Sequence, residues 1–157
     1  MLRKVTQTFT RPADTNAYQD LDLVANNTTV GSVSPMKFQG FGGGSRIVGA
    51  RIEKSDATDV ANATFTLHLY GSSPTPANGD NGALSTNVSD KLGTIAFPIM
   101  TAFTDDAAST INLGATGLVG GVFMTNQIFY GLLEAKAAYS PASEETFTVV
   151  LYLESCK

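Results

Sequence analysis

The residues that carry most enzyme chemistry are scarce in this chain. It has one histidine, His68, one cysteine, Cys156, and fourteen Asp and Glu residues. A lone His and a lone Cys exclude a multi-histidine or cysteine-built metal centre and an internal disulfide. Nucleophilic catalysis needs Ser or Cys beside a His that an acid orients, and the chain has no G-x-S-x-G elbow. His68 is therefore expected to bond to its neighbours on a strand, and Cys156 to be a bystander near the C-terminus. Glycoside hydrolysis needs two carboxylates roughly 5–10 Å apart. Asp56, Asp59, Asp80, Asp90, Asp105, Asp106 and Glu134 are the acids that a fold would have to bring together. Asp105 and Asp106 are sequence neighbours, which point to opposite faces on a strand, so an exposed acidic turn is expected. Asp80-Asn81-Gly82, with Asn78 nearby, invites a calcium-loop reading. Such a loop needs a Glu at its twelfth position, where this chain has Lys91. Gly42-Gly43-Gly44-Ser45 lacks the Lys-Ser/Thr of a phosphate loop and precedes a strand-like segment. Both stretches are read as turns, and no cofactor or metal is expected.

Binding chemistry is constrained by charge. The formal net charge is −4 and charged residues make up 15% of the chain, against a usual ~25%. Dispersed basic residues and a net negative charge argue against nucleic acid. Sugar sites commonly stack rings on Trp or Tyr; Trp is absent, and Tyr18, Tyr70, Tyr130, Tyr139 and Tyr152 are scattered. The charge is uneven along the chain. Residues 1–54 hold seven Lys/Arg and four acids, and residues 55–157 hold three Lys and ten acids. That gives a basic N-terminal part (+3) and an acidic remainder (−7). The start of the chain has no apolar leader core, and the longest weakly polar run, Leu113 to Phe123, is too short to span a bilayer. A protein made in the cytoplasm, with no membrane segment, is expected.

The elements that must position these groups are strands. Phe65, Leu67 and Leu69 alternate with Thr64, Thr66, His68 and Tyr70. Phe147, Val149, Leu151 and Leu153 alternate with Thr146, Thr148, Val150, Tyr152 and Glu154. Period-2 alternation marks half-buried strands. Weaker strand signals cover 5–10, 21–25, 30–38 (broken by Pro35), 46–54, 93–99, 110–113 and 127–135. The helix-like composition of 132–139 runs into Pro141 and reads as strand into loop. The 157 residues are expected to form one domain, an all-β, jelly-roll-like antiparallel β-sandwich of about eight or nine short strands with little or no helix. A short N-terminal arm, residues 1–4, is expected ahead of the first strand. A long loop, residues 71–90, has a length usually associated with function or mobility.

Two stretches carry a resemblance. Thr10-Arg11-Pro12-Ala13-Asp14-Thr15-Asn16-Ala17-Tyr18 leads to an apolar stretch near Leu23-Val24. Gly44-Ser45-Arg46-Ile47-Val48-Gly49-Ala50-Arg51-Ile52 leads to Ala63–Tyr70. Together they resemble small virion structural proteins of tailed bacteriophages, of the head decoration or cement type, over roughly residues 5–100. The resemblance implies a non-enzymatic sandwich on the outer surface of the expanded capsid. There it would bridge capsomers, with the major capsid protein as partner, and self-assemble as a homotrimer. In that setting Leu2, Arg3 and Lys4 of the arm are the expected capsid contacts. The alternative is a tail or baseplate component, or a receptor-binding, glycan-binding head domain.

Overall fold

The computed structural model describes residues 2–41, 45–113 and 127–155. Ten strands follow in chain order: β1 (Leu2–Thr10), β2 (Leu23–Val24), β3 (Met36–Phe41), β4 (Ser45–Lys54), β5 (Phe65–Tyr70), β6 (Lys91–Ala96), β7 (Thr101–Ala102), β8 (Ala107–Asn112), β9 (Gln127–Ala135) and β10 (Thr146–Ser155). The one helical element among the described residues is a 3-10 turn at Val60–Asn62. The helix-like composition of 132–139 indeed ends a strand and enters a loop.

All pairings are antiparallel, in two sheets. One has the order β1-β10-β4-β8-β7; the other runs β2-β9-β5-β6, with β3 also on β9. β2 meets Leu133 and Glu134, and β3 meets Gly131 back to Gln127. β5 takes the other side of the same β9 residues. Thus β2 and β3 are two halves of one strand position, split by residues 25–35. Counting them as one and setting the two-residue β7 aside leaves eight strands. Their sheet orders are then first-eighth-third-sixth and second-seventh-fourth-fifth, the double Greek key of a jelly roll.

The alternation explains which face is buried. Phe65, Leu67 and Leu69 of β5 and Phe129, Leu133 and Ala135 of β9 meet Phe147, Val149, Leu151 and Leu153 of β10 and Ile47, Ala50 and Ile52 of β4 in one apolar cluster. Phe65 stands edge-on to Phe147 at 5.3 Å, and Phe9 stacks on Phe147 at 5.6 Å. Such pairs add about 0.5–1.5 kcal/mol each beyond the area they bury. A bulge between Tyr152 and Leu153 shifts the β10–β4 register by one residue. That shift keeps both Ala50 and Ile47 on the inner face of β4.

The outer face of the second sheet carries a second apolar cluster, Leu23, Ala25, Tyr70 and Leu132, with Val33 and Leu84 packed on it. Val33 belongs to the 25–35 insertion and Leu84 to the 71–90 loop. That loop has no strand of its own, but it is tied down by Leu84 N to Leu21 O (2.8 Å), Ala77 N to Ser85 O (2.8 Å) and Asp80 N to Asn27 O (2.7 Å). Its Gly79 lies so close to Thr28 that a Cβ there would fall 2.0 Å from the Thr28 carbonyl oxygen. Only glycine permits that approach.

One expectation needs correcting at the N-terminus. Residues 2–4 are not an arm ahead of the first strand. They are its first three residues, with Leu2 opposite Glu154, Arg3 opposite Leu153 and Lys4 opposite Tyr152. Thr, Val and aromatic residues continue the β10 pattern to Ser155, and this long partner draws β1 out to Leu2.

Candidate functional site

The strongest polar constellation lies inside the protein, where β1 and β4 end and β10 begins. Pro12 follows Arg11 directly, and the Asp14 carboxylate accepts the Asn16 amide (3.1 Å) to turn the chain. Arg11 thereby leaves β1 with its side chain turned inward. Its Nη2 meets Asp80 at 3.2 Å and Asp14 at 3.1 Å, and its Nη1 donates to the Asp14 and Ala142 carbonyls (2.9 and 3.2 Å). Its Nε donates to the Tyr18 hydroxyl. That hydroxyl donates to Asp80 Oδ1 at 2.6 Å, and the Ala25 amide donates to the same oxygen at 2.7 Å. The Arg11 and Asp80 side chains are both 0% exposed.

A second clamp is built the same way. Lys54 Nζ lies 3.1 Å from Glu145 Oε1 and donates to the Thr58 carbonyl at 2.6 Å. The Tyr139 hydroxyl donates to Glu145, and Lys54 sits 5.0 Å from the Tyr139 ring centre. Lys54 continues the inward register of Ile52, and Glu145 that of Phe147. The two charges therefore arrive at the same end of the core. The clamps touch: Tyr18 and Tyr139 stack at 6.1 Å with planes 5° apart, and the Arg11 amide donates to the Glu145 carbonyl (3.0 Å).

Burial pushes Asp80 and Glu145 above the ordinary carboxyl range, although Arg11 and Lys54 pull the other way. Burial likewise pushes both phenols up, with the neighbouring carboxylates adding to it. Perturbed groups in a cluster are a common mark of an active site. Here the groups are sealed from solvent and satisfied by one another. Their chemistry is to hold the 11–22, 71–90 and 136–145 segments together.

The remaining acids are engaged separately. Asp56 accepts the Thr58 amide and hydroxyl, which hold it below the usual range. Asp59 accepts the Ser140 amide at 2.6 Å, and Asp90 accepts the Ser72 hydroxyl. Asp105 and Asp106 lie exposed in the β7–β8 turn, as expected. His68, on the outer face of β5, has Nε2 3.1 Å from Glu134, and Glu134 also pairs with Lys136 at 3.1 Å. Burial, with Lys91 nearby, lowers the His68 pKa in spite of Glu134. No group of three or more His, Cys, Asp or Glu residues that could hold a metal occurs among the described residues. Gly42–Gly44, Cys156 and most of the Leu113–Phe123 run lie outside them.

The surface offers a different site. β1 is an edge strand, and Leu2 is 63% exposed. Arg3 and Lys4 are exposed beside it. A cleft of about 430 Å³ runs between β1 and the 34–37 segment, lined by Gln7, Thr8, Phe9, Pro35, Met36 and Lys37 among others. Arg11, Arg46, Arg51, Lys54 and Lys136 all form ion pairs with carboxylates. None of the ion pairs among the described residues includes Arg3, Lys4 or Lys37.

Comparison with known proteins gives only distant likenesses. No protein-family model matches the chain, and no curated protein matches it. Among solved structures, it is similar to a chain of the cyanophage Pam1 capsid asymmetric unit, at 15% identity and a TM-score of 0.40, over 97% of this chain and 83% of that one. Desmodium yellow mottle tymovirus follows at 12% identity and a TM-score of 0.28, over 99% and 86%. Tobacco streak virus coat protein follows at 10% and 0.26, over 97% and 86%. These neighbours are viral capsid and coat proteins. The all-β sandwich assignment itself comes from the strand registers. No helix among the described residues is long and apolar enough to cross a membrane.

Proposed function

We propose that this protein is a structural component of a tailed-phage virion. In this reading it attaches to the outer surface of the expanded head and stabilises the shell by bridging capsomers. The observation that carries the reading is the eight-strand jelly-roll order, an architecture used by viral capsid domains. It agrees with the decoration-protein resemblance of residues 5–100. The internal clamps suit the role, because a sandwich whose loops are pinned by buried charges presents a preorganised surface. The major capsid protein is the partner, a homotrimer is the assembling unit, and Leu2, Arg3 and Lys4 contribute to the contact from the β1 edge.

The test is co-sedimentation of the purified protein with expanded heads and with unexpanded shells. Saturable binding to expanded heads alone is the expected result. Binding to host cells or glycans, with none to heads, would replace this reading by a tail or receptor-binding one. Light scattering after size exclusion tests the trimer separately.

A further inference from the structure

We infer that the β1 edge and its cleft form a strand-addition site for an extended acidic segment of a partner protein. This names the mode of contact for the attachment proposed above and rests on it. The backbone argument starts at Arg11, whose amide donates to the Glu145 carbonyl at 3.0 Å. Residues 11 and 145 continue the β1–β10 register, in which Thr10 faces Thr146. Bonded and non-bonded pairs alternate in an antiparallel ladder. Phe9, Gln7, Val5 and Arg3 therefore bond to β10, while Thr10, Thr8, Thr6 and Lys4 turn their N–H and C=O groups to the open edge. The Thr8 and Thr148 hydroxyls meet at 2.7 Å, the close side-chain approach of a non-bonded pair.

Of those outward-facing residues, Thr8 and Thr10 border the cleft, and Thr6 and Lys4 continue the same open edge beyond it. A strand laid along them gains main-chain hydrogen bonds, and alternate side chains drop into pockets. Phe9, Pro35 and Met36 offer apolar surface in the cleft beside polar Thr8, Thr10, Asn26 and Ser34, and Lys37 lines the same cleft. Arg3 and Lys4 extend the positive charge along the edge. Unpaired cations on an edge discourage indiscriminate strand pairing. They also select an acidic occupant over a neutral or basic one.

The experiment uses the full chain, amide hydrogen exchange read by NMR, and an acidic peptide of about nine residues alternating Glu with Val or Thr. The expected result is protection rising about tenfold at Lys4, Thr6, Thr8 and Thr10. Val5, Gln7 and Phe9 should stay unchanged, and a Lys-for-Glu peptide should have no effect. Thr6→Pro removes one outward donor and leaves the β10 ladder intact, since proline is tolerated where an edge N–H faces solvent. It should weaken peptide binding at least about tenfold. Arg3→Glu with Lys4→Glu should do the same without touching the backbone. No alternate-amide protection at about 1 mM peptide would overturn the inference. Protection that grows with protein concentration alone would overturn it in favour of a second copy. If Thr6→Pro binds expanded heads as well as the parent does, strand addition fails while attachment stands. If the parent ignores heads but takes the peptide, attachment fails and the groove stands.

Discussion

Replacing Asp80 by Ala tests whether the long 71–90 loop is held by charge. Asp80 receives the Tyr18 hydroxyl at 2.6 Å, the Ala25 amide at 2.7 Å and Arg11 Nη2 at 3.2 Å. Removing it leaves a guanidinium with a fully enclosed side chain beside the Asp14 carboxylate, whose side chain is 26% exposed. Breaking one side of a buried pair costs about 3–5 kcal/mol, because the surviving charge stays buried. At roughly 2–4 °C per kcal/mol for a chain of this size, the melting temperature should fall by about 6–20 °C. Asp14→Ala removes only a partly exposed partner and should cost about 0–1 kcal/mol. Urea unfolding measures both, and an unchanged slope would show that the unfolded state is the same. Hydrogen exchange should place the Asp80→Ala loosening in residues 77–84 and at the Ala25 amide. A loss below about 1 kcal/mol, or one equal to that of Asp14→Ala, would refute the clamp.

Glu145→Ala should destabilise by a similar ~3–5 kcal/mol, whereas Lys54→Met with Glu145→Leu should recover most of it, since an apolar pair replaces a buried ionic one; chemical denaturation of the three variants reads this. His68 has a pKa below its usual 6.5 in the folded state. Below that value the unfolded chain takes up a proton that the folded chain does not, so stability falls as pH drops. His68→Gln should remove that part of the fall between about pH 7.5 and pH 5.5, seen as a smaller shift in urea midpoint than in the parent. Gly79→Ala would force a Cβ into the Thr28 carbonyl and should cost at least about 1–3 kcal/mol, measured by thermal unfolding.

Much of the sandwich was legible because alternation reports burial directly. The signals at 65–70, 127–135 and 146–154 fall on β5, β9 and β10, the first and last with their inner faces as read. The 30–38 signal failed in its first half. Residues 30–35 belong to the 25–35 insertion that splits a strand position in two, and Pro35 marks where β3 can begin. β7 was invisible, since two residues cannot show a period. Leu2–Lys4 read as an arm because their sequence is charged, and they are a strand because β10 offers nine consecutive partners.

The clamps were legible only in part. Lys54 and Glu145 stand two residues from Ile52 and Phe147, so inward parity alone puts opposite charges at one end of the core. Asp80 gave no such signal. It sits in a loop without periodicity, and its partner Arg11 is far away in sequence, so only the folded chain joins them. The Asp80-Asn81-Gly82 segment is indeed turn-like, with Asn81 in the left-handed region at φ 63°. Its carboxylate, however, faces the core.

The attachment claim is tested most directly by imaging expanded heads mixed with saturating protein. The result expected is ordered density outside the shell at repeated capsomer junctions, with the β1 edge against the major capsid protein. Heads that stay bare at saturation, while the protein remains folded, would contradict the claim.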